Sequence, residues 1–202
     1  MNSKQRLVLA IAVSVVVVLS IEVMRIAFLE AFKVPSSSME NTVLIGDHVL
    51  VNKAAYALAN PLTENPLIPI KDPERGDVVV LRYPEDPSRK FIKRIVGMPG
   101  DQFEIRKRQV YVNGKALDEP YKIHKSEFDN DLVGLMSEDV EKVEVPEGFY
   151  FVLGDNRDNS KDSRAWGFVS SKYIVGKVTT VYLSFDPESG KLRTDRIGKS
   201  VR

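Results

Sequence analysis

Fifteen consecutive residues without a charge, Leu7 to Ile21, constrain this chain more than any other feature. As a helix, LVLAIAVSVVVVLSI covers about 22 Å, against roughly 30 Å for a bilayer core. The run continues as EVMRIAFLEAF. Glu22 and Arg25 stand three apart, so they can pair on one helix face or snorkel to headgroups. Counted to about Leu29, the apolar length is enough to span. A cleaved signal peptide would need small residues at a cleavage site, and Glu-Val-Met-Arg stands there instead. A buried globular helix is a second reading, because a run this short can be one. A retained membrane anchor is favoured. Lys4 and Arg6 precede the run, which puts the amino terminus in the cytoplasm and the rest of the chain outside it.

After the anchor the pattern changes period. DHVLVNK, GDVVVLRY, KFIKRIVG, QVYVNGKAL, GFYFVLG and GKVTTVYLSF alternate or run apolar over strand lengths. Asn113-Gly114 predicts a tight hairpin, since both central positions of that turn want positive φ. The fold class is therefore mainly β and antiparallel, preceded by one amino-terminal transmembrane helix. The expected division is a stub and anchor over 1–29 and a β domain over 30–202. The proline-bearing stretch from Leu58 to Glu74 predicts a surface excursion. An acidic, weakly patterned insertion is expected at about 118–147, and a poorly ordered tail after Phe185.

The chain has 202 residues, net charge +1, no cysteine and two histidines, His48 and His124. Thiol chemistry and disulfides are excluded, and a His-rich metal site is not expected. Near-neutral charge gives no reason to expect nucleic acid.

Three clusters carry chemistry. Pro35-Ser36-Ser37-Ser38-Met39 follows the anchor closely. On residue pattern alone it is a turn, because a serine nucleophile needs an adjacent base. Lysine can be that base if burial keeps it neutral. FIKRIV offers the setting: on a strand Lys93 shares a face with Phe91 and Ile95, while Arg94 points the other way. The bland alternative for Lys93 is a snorkelling surface lysine. The third cluster, Gly154 to Gly167, interleaves carboxylates and arginines that can lock one another.

Together these clusters resemble the bacterial type I signal peptidases. The family's serine box, P-S-x-S-M-x-P-T-L, stands here as PSSSMENTV, Pro35 to Val43. GDHVLVNKAAY, RGDVVVLRYPEDPSRKFIKRIVGMPGD and GDNRDNSKDSRAWG resemble the later boxes, in the same order. Asn41 replaces the usual proline, and Val43 the usual leucine.

The resemblance implies a partly closed β-barrel of the signal-peptidase type and a membrane-bound serine endopeptidase that removes signal peptides, with no metal and no cofactor. It makes Ser38 the nucleophile and Lys93 the general base. Ser36 and the Ser38 amide form the oxyanion hole, and Ser160 orients the lysine. Arg94, Asp155, Asp162 and Arg164 are structural charges, and Phe32, Val34, Phe91 and Ile92 line the substrate pockets. The implied partners are preproteins with small residues at the first and third positions before the cut, the lipid bilayer and the secretion translocon, without nucleic acid. A self-cleaving Ser–Lys regulator and a non-catalytic membrane-tethered β module are the rival readings.

Overall fold

The structure is a computed structural model that describes residues 2–59, 66–125 and 139–202. A long helix, α1, covers Ser3–Phe28. Its large apolar side chains from Leu7 to Val18 are half exposed or more. Among the described residues no helix is long and apolar enough to cross a membrane.

The strands expected from alternation all form. DHVLVNK gives β2 (Asp47–Asn52), GDVVVLRY gives β5 (Val78–Tyr83), and KFIKRIVG lies in β6 (Asp86–Gly97). GFYFVLG gives β11 (Phe149–Leu153), and GKVTTVYLSF lies in β13 (Ile174–Ser184). With β1 (Leu29–Lys33) and β12 (Val169–Ser170) they form one sheet, ordered β1-β2-β13-β5-β6-β11-β12. Its end strands do not pair with each other, so the expected partly closed barrel is corrected to an open sheet. Every pairing in it is antiparallel. A second sheet has the order β10-β7-β8-β9, from Val140–Glu144, Gln102–Arg106, Gln109–Val112 and Lys115–Ala116. Asn113 and Gly114 join β8 to β9 with φ of 52° and 78°, as a tight primed turn requires.

Pleating splits the core. Val78 and Val80 of β5 join Val34, Met39, Val43 and Val49 on one face, while Val79 and Leu81 join Ile95 and Tyr150 on the other. A third cluster, around Phe103, Val110 and Phe151, fills the space between the two sheets.

Three expectations change. The stretch from Leu58 to Glu74 is partly a ribbon, β3 (Ala57–Ala59) paired with β4 (Pro66–Pro69) outside the main sheet; residues 60–65 lie outside the described residues. The insertion expected at 118–147 contributes β10 to the second sheet and packs Glu119 in the interior; residues 126–138 lie outside the described residues. The tail after Phe185 is folded. Thr180 bridges Ser200, Val201 is buried with Val34 and Met39, and Arg196 is buried against Asp47. The sequence looked polar there because its charges are used internally.

Candidate active site

β6 carries Lys93 and Arg94 through the middle of the main sheet. Alternation sends the two side chains to opposite faces, and both are about 1% exposed. Lys93 pairs across to Val79 and Arg94 to Val78. The Lys93 ammonium lies 5.5 Å from the Phe91 ring centre. Its Nζ stands 2.8 Å from Ser38 Oγ and donates to the Ile92 carbonyl at 3.0 Å. Burial pulls its pKa down from 10.5 to about 8; Asp162 and Asp155 pull the other way, and Arg164 adds to the lowering.

Ser38 sits in the turn that follows Val34, whose amide donates to the Asp47 carbonyl. The Ser38 carbonyl accepts from the Asn156 amide at 3.1 Å, tying the serine turn to the loop after β11. Close packing at this junction requires Gly154: a Cβ there would lie 2.2 Å from Ser160 Oγ and 2.5 Å from the Ser38 carbonyl. Ser36 Oγ is 3.4 Å from Ser38 Oγ. Ser160 Oγ is buried beside Gly154 without a hydrogen-bond partner among the described residues, and the Ile92 carbonyl takes the lysine contact that the resemblance gives to Ser160.

Beneath the serine turn the charges are matched. Arg94 holds Asp155 through two bonds, Nε to Oδ1 at 2.8 Å and an Nη to Oδ2 at 2.7 Å. It also donates to the carbonyls of Gly76 and Arg202. Thr42 donates to the same Asp155, so the carboxylate holds the turn four residues after Ser38. Asp162 accepts from the Gly154 amide and from two guanidinium nitrogens of Arg164. Phe32, Val34, Phe91 and Ile92 line one shallow cleft with Ser36 and Ser38, as the resemblance groups them. Its void of about 20 Å³ holds little more than one water.

Sequence reasoning missed three supports. Tyr121 stacks on the Arg94 guanidinium, 3.9 Å from its ring centre. Glu119 pairs with buried Arg157. Arg196 grips Asp47 and also donates to the Thr42 carbonyl. One signal was available: Asp155 and Asp162 balance Arg94 and Arg164, which leaves Arg157 needing a carboxylate from elsewhere. The departure at Asn41 also has a structural basis. Its φ is 86°, which proline's ring forbids, and its Nδ2 donates to the Tyr121 carbonyl at 3.1 Å.

A serine hydroxyl against a buried, apolar-walled amine, at the mouth of a cleft, is a constellation suited to acyl transfer without histidine. The fold and the site thus point to a class, the serine hydrolases. The profile of the family described as signal peptidase, peptidase S26, matches residues 5–183. Signal peptidase I of Pseudomonas aeruginosa is 38% identical over 200 residues, covering 84% of this chain and 70% of that protein. The Pseudomonas fluorescens protein is 36% identical, covering 81% and 68%, and the Aquifex aeolicus protein 33%, covering 83% and 81%. A crystal structure of a signal peptidase I from Enterococcus faecalis superposes with a TM-score of 0.44 at 35% identity, over 55% of this chain and 99% of that one. The chain belongs to the signal peptidase family, peptidase S26. It is a serine peptidase that removes signal peptides from preproteins.

Proposed function

We propose that Ser38 is the nucleophile of this peptidase and Lys93 its general base. The observation that carries the proposal is the 2.8 Å separation of Lys93 Nζ and Ser38 Oγ at a position closed to water. Neutral Lys93 takes the Ser38 proton as Oγ bonds to the scissile carbonyl carbon. The carbonyl oxygen becomes an oxyanion, held by the Ser38 amide and the Ser36 hydroxyl. The carbon–nitrogen bond then breaks, and protonated Lys93 gives its proton to the leaving amine. Water attacks the acyl-enzyme and loses a proton to Lys93, which returns one to Ser38 as the acid product leaves.

The arginine–carboxylate pairs of Arg94 with Asp155 and Arg164 with Asp162 hold these groups in place. Ser160 orients the lysine when substrate settles the site, for its buried hydroxyl has no other bond to give up among the described residues. Phe32, Val34, Phe91 and Ile92 select small side chains near the cut, because they wall a shallow cleft beside Ser38 in which a large side chain would clash.

The division into an anchor over 1–29 and a catalytic domain over 30–202 belongs to the same proposal. Large apolar side chains on every side of α1 face outward, a pattern that suits lipid rather than water. The anchor of this proposal takes in the whole of α1, Ser3–Phe28, and ends at Leu29. With Lys4 and Arg6 before it, the amino terminus lies in the cytoplasm and the site outside, next to preproteins leaving the translocon.

Ser38→Ala and Lys93→Met test the proposal. Each abolishes cleavage of a preprotein while circular dichroism and the unfolding transition stay cooperative. Cleavage surviving either change in a folded protein rejects the dyad.

A further inference from the structure

Residues of β1 and β6 flank the cleft at Ser38, yet the two strands do not pair with each other. β1 is the end strand of the main sheet and pairs with β2 alone. β11 reaches β6 only at Arg94–Gly97, so Asp86 to Lys93 is paired on the β5 side alone among the described residues. Alternation sets which side chains meet across the gap. Glu30 and Phe32 of β1 point inward, followed by Val34, while Leu29, Ala31 and Lys33 face solvent. On β6, Lys90 shares its face with Ile92 and Arg94. Val34 and Ile92 are buried in one core cluster, and Phe32 packs against it.

Farther from Ser38 on each strand, apolar contact gives way to charge. Glu30 stands two residues before Phe32, and Lys90 two residues before Ile92. Lys90 Nζ donates to Glu30 Oε1 at 2.9 Å, and the two side chains are only 23% and 25% exposed. Lys90 itself lines the cleft. Glu30 Oε2 is out of water and without a hydrogen bond among the described residues. A fully exposed ion pair contributes little to stability. This one is mostly buried, and it ties together two strand stretches that no ladder joins.

We propose that Glu30 and Lys90 form a latch across the outer end of the substrate cleft, and that the closed latch keeps large side chains out at the third residue before the cut. The proposal rests on the reading of this cleft as the substrate site and deepens it. Lys90 lies three residues from Lys93, about 10 Å along an extended strand. An extended substrate with its scissile carbonyl at Ser38 covers that length in three residues, so the pair stands beside the third one. A small side chain fits beneath the closed pair. A larger one has to push β1 and β6 apart and stretch the bond between them. The latch can be opened because its closed form is imperfect. Glu30 Oε2 has no bond to lose among the described residues, and water reaches it once the strands part. Closure therefore penalises a bulky substrate and leaves a small one untouched.

The test uses the full-length protein in detergent and two peptides that differ only in alanine or leucine three residues before the cut. The readout is the ratio of kcat/KM for leucine to that for alanine, with kcat and KM read separately. Glu30→Gln and Lys90→Met are each expected to raise the ratio severalfold, chiefly through a lower KM for the leucine peptide. The Glu30→Lys, Lys90→Glu double variant remakes the pair with its charges exchanged and returns the ratio toward that of the parent. Loss of packing alone slows both peptides together and leaves the ratio where it was. Circular dichroism checks each variant, and Glu30→Gln, which keeps the size of the side chain, carries the test if a lysine variant folds poorly. An unchanged ratio in a folded single variant, or a ratio still raised in the exchanged pair, overturns the latch and leaves the cleft reading standing. A parent that cleaves both peptides equally well overturns the cleft reading itself.

Discussion

Arg94 and Asp155 meet through two parallel bonds in a place where both side chains are about 1% exposed. The pair joins β6, one residue from Lys93, to the loop whose Asn156 amide holds the Ser38 carbonyl. Removing one member leaves the other charged and out of water, which costs about 3–5 kcal/mol. Asp155→Asn is therefore expected to lower unfolding stability in urea by that amount and to reduce kcat more than KM. An Arg94→Met, Asp155→Leu double variant recovers much of the stability without recovering kcat. A double variant as unstable as the single one would mean that the pair acts chiefly through the Thr42 and Gly76 bonds.

Asn41 argues a second case. A φ of 86° is open to asparagine and glycine and closed to proline, whose φ stays near about −65°. Asn41→Pro, although it restores the family's usual residue, is expected to unfold the serine turn and abolish cleavage. Asn41→Gly keeps the backbone and loses only the bond to the Tyr121 carbonyl, at a cost of about 1 kcal/mol with kcat nearly kept. Thermal unfolding and initial rates on one peptide substrate separate the two variants.

The strands around the site were legible because alternation is a local signal. Val78 to Leu81 and Phe91 to Val96 each carry their own pleat, and Asn113-Gly114 its own turn. Long-range pairing carries no such signal. Nothing near Asp47 in sequence announces that Arg196 will bond it, and Glu119 lies in a stretch too generic to align. Edge strands were also missed. Leu29–Lys33 pairs on one side only, so its pattern blends with the helix before it. Leu58 to Glu74 read as loop because Pro66 and Pro69 stand at the two ends of β4, in a two-stranded ribbon rather than inside a central strand.

The tail gives a third prediction. Burial alone would raise the Asp47 pKa, but bonds from Arg196, Ser184 and the Leu44 amide outweigh it and hold the carboxyl below its ordinary 3.8. A folded pKa below the unfolded one adds stability above the unfolded value, and this is lost as pH falls through the folded value. Arg196→Met leaves Asp47 buried without its main partner. The variant is expected to lose about 3–5 kcal/mol at neutral pH and to begin acid unfolding at a higher pH than the parent. Unfolding followed by Trp166 fluorescence across an acid titration measures both.

The turn between β7 and β8 offers a gain in stability. Lys107 and Arg108 occupy it with φ of 49° and 64°, where most side chains are disfavoured. Lys107→Asn suits the left-handed backbone and leaves intact the Lys107 amide bond to Asp139. The expected gain is about 0.4–1 kcal/mol with unchanged kinetics, measured by urea unfolding.

Lys93 makes the sharpest pH prediction, because activity and stability turn on the same proton. With a pKa of about 8 in the folded chain, only the neutral fraction can accept the Ser38 proton. kcat/KM is expected to fall about tenfold for each pH unit below that value. Stability follows a separate rule. Between about 8 and 10.5 the unfolded chain keeps a proton that the folded chain has lost, so stability rises with pH across that window. Below it the cost of burying the ammonium is present in full, roughly 3 kcal/mol. Lys93→Met removes that cost. The inactive variant is therefore expected to be more stable than the parent at neutral pH, by up to about 3 kcal/mol, with the gap closing as pH approaches 10.5. Paired urea titrations at neutral and alkaline pH measure the gap. A variant less stable than the parent at neutral pH would mean that the amine is a net support of the fold, held there in its charged form.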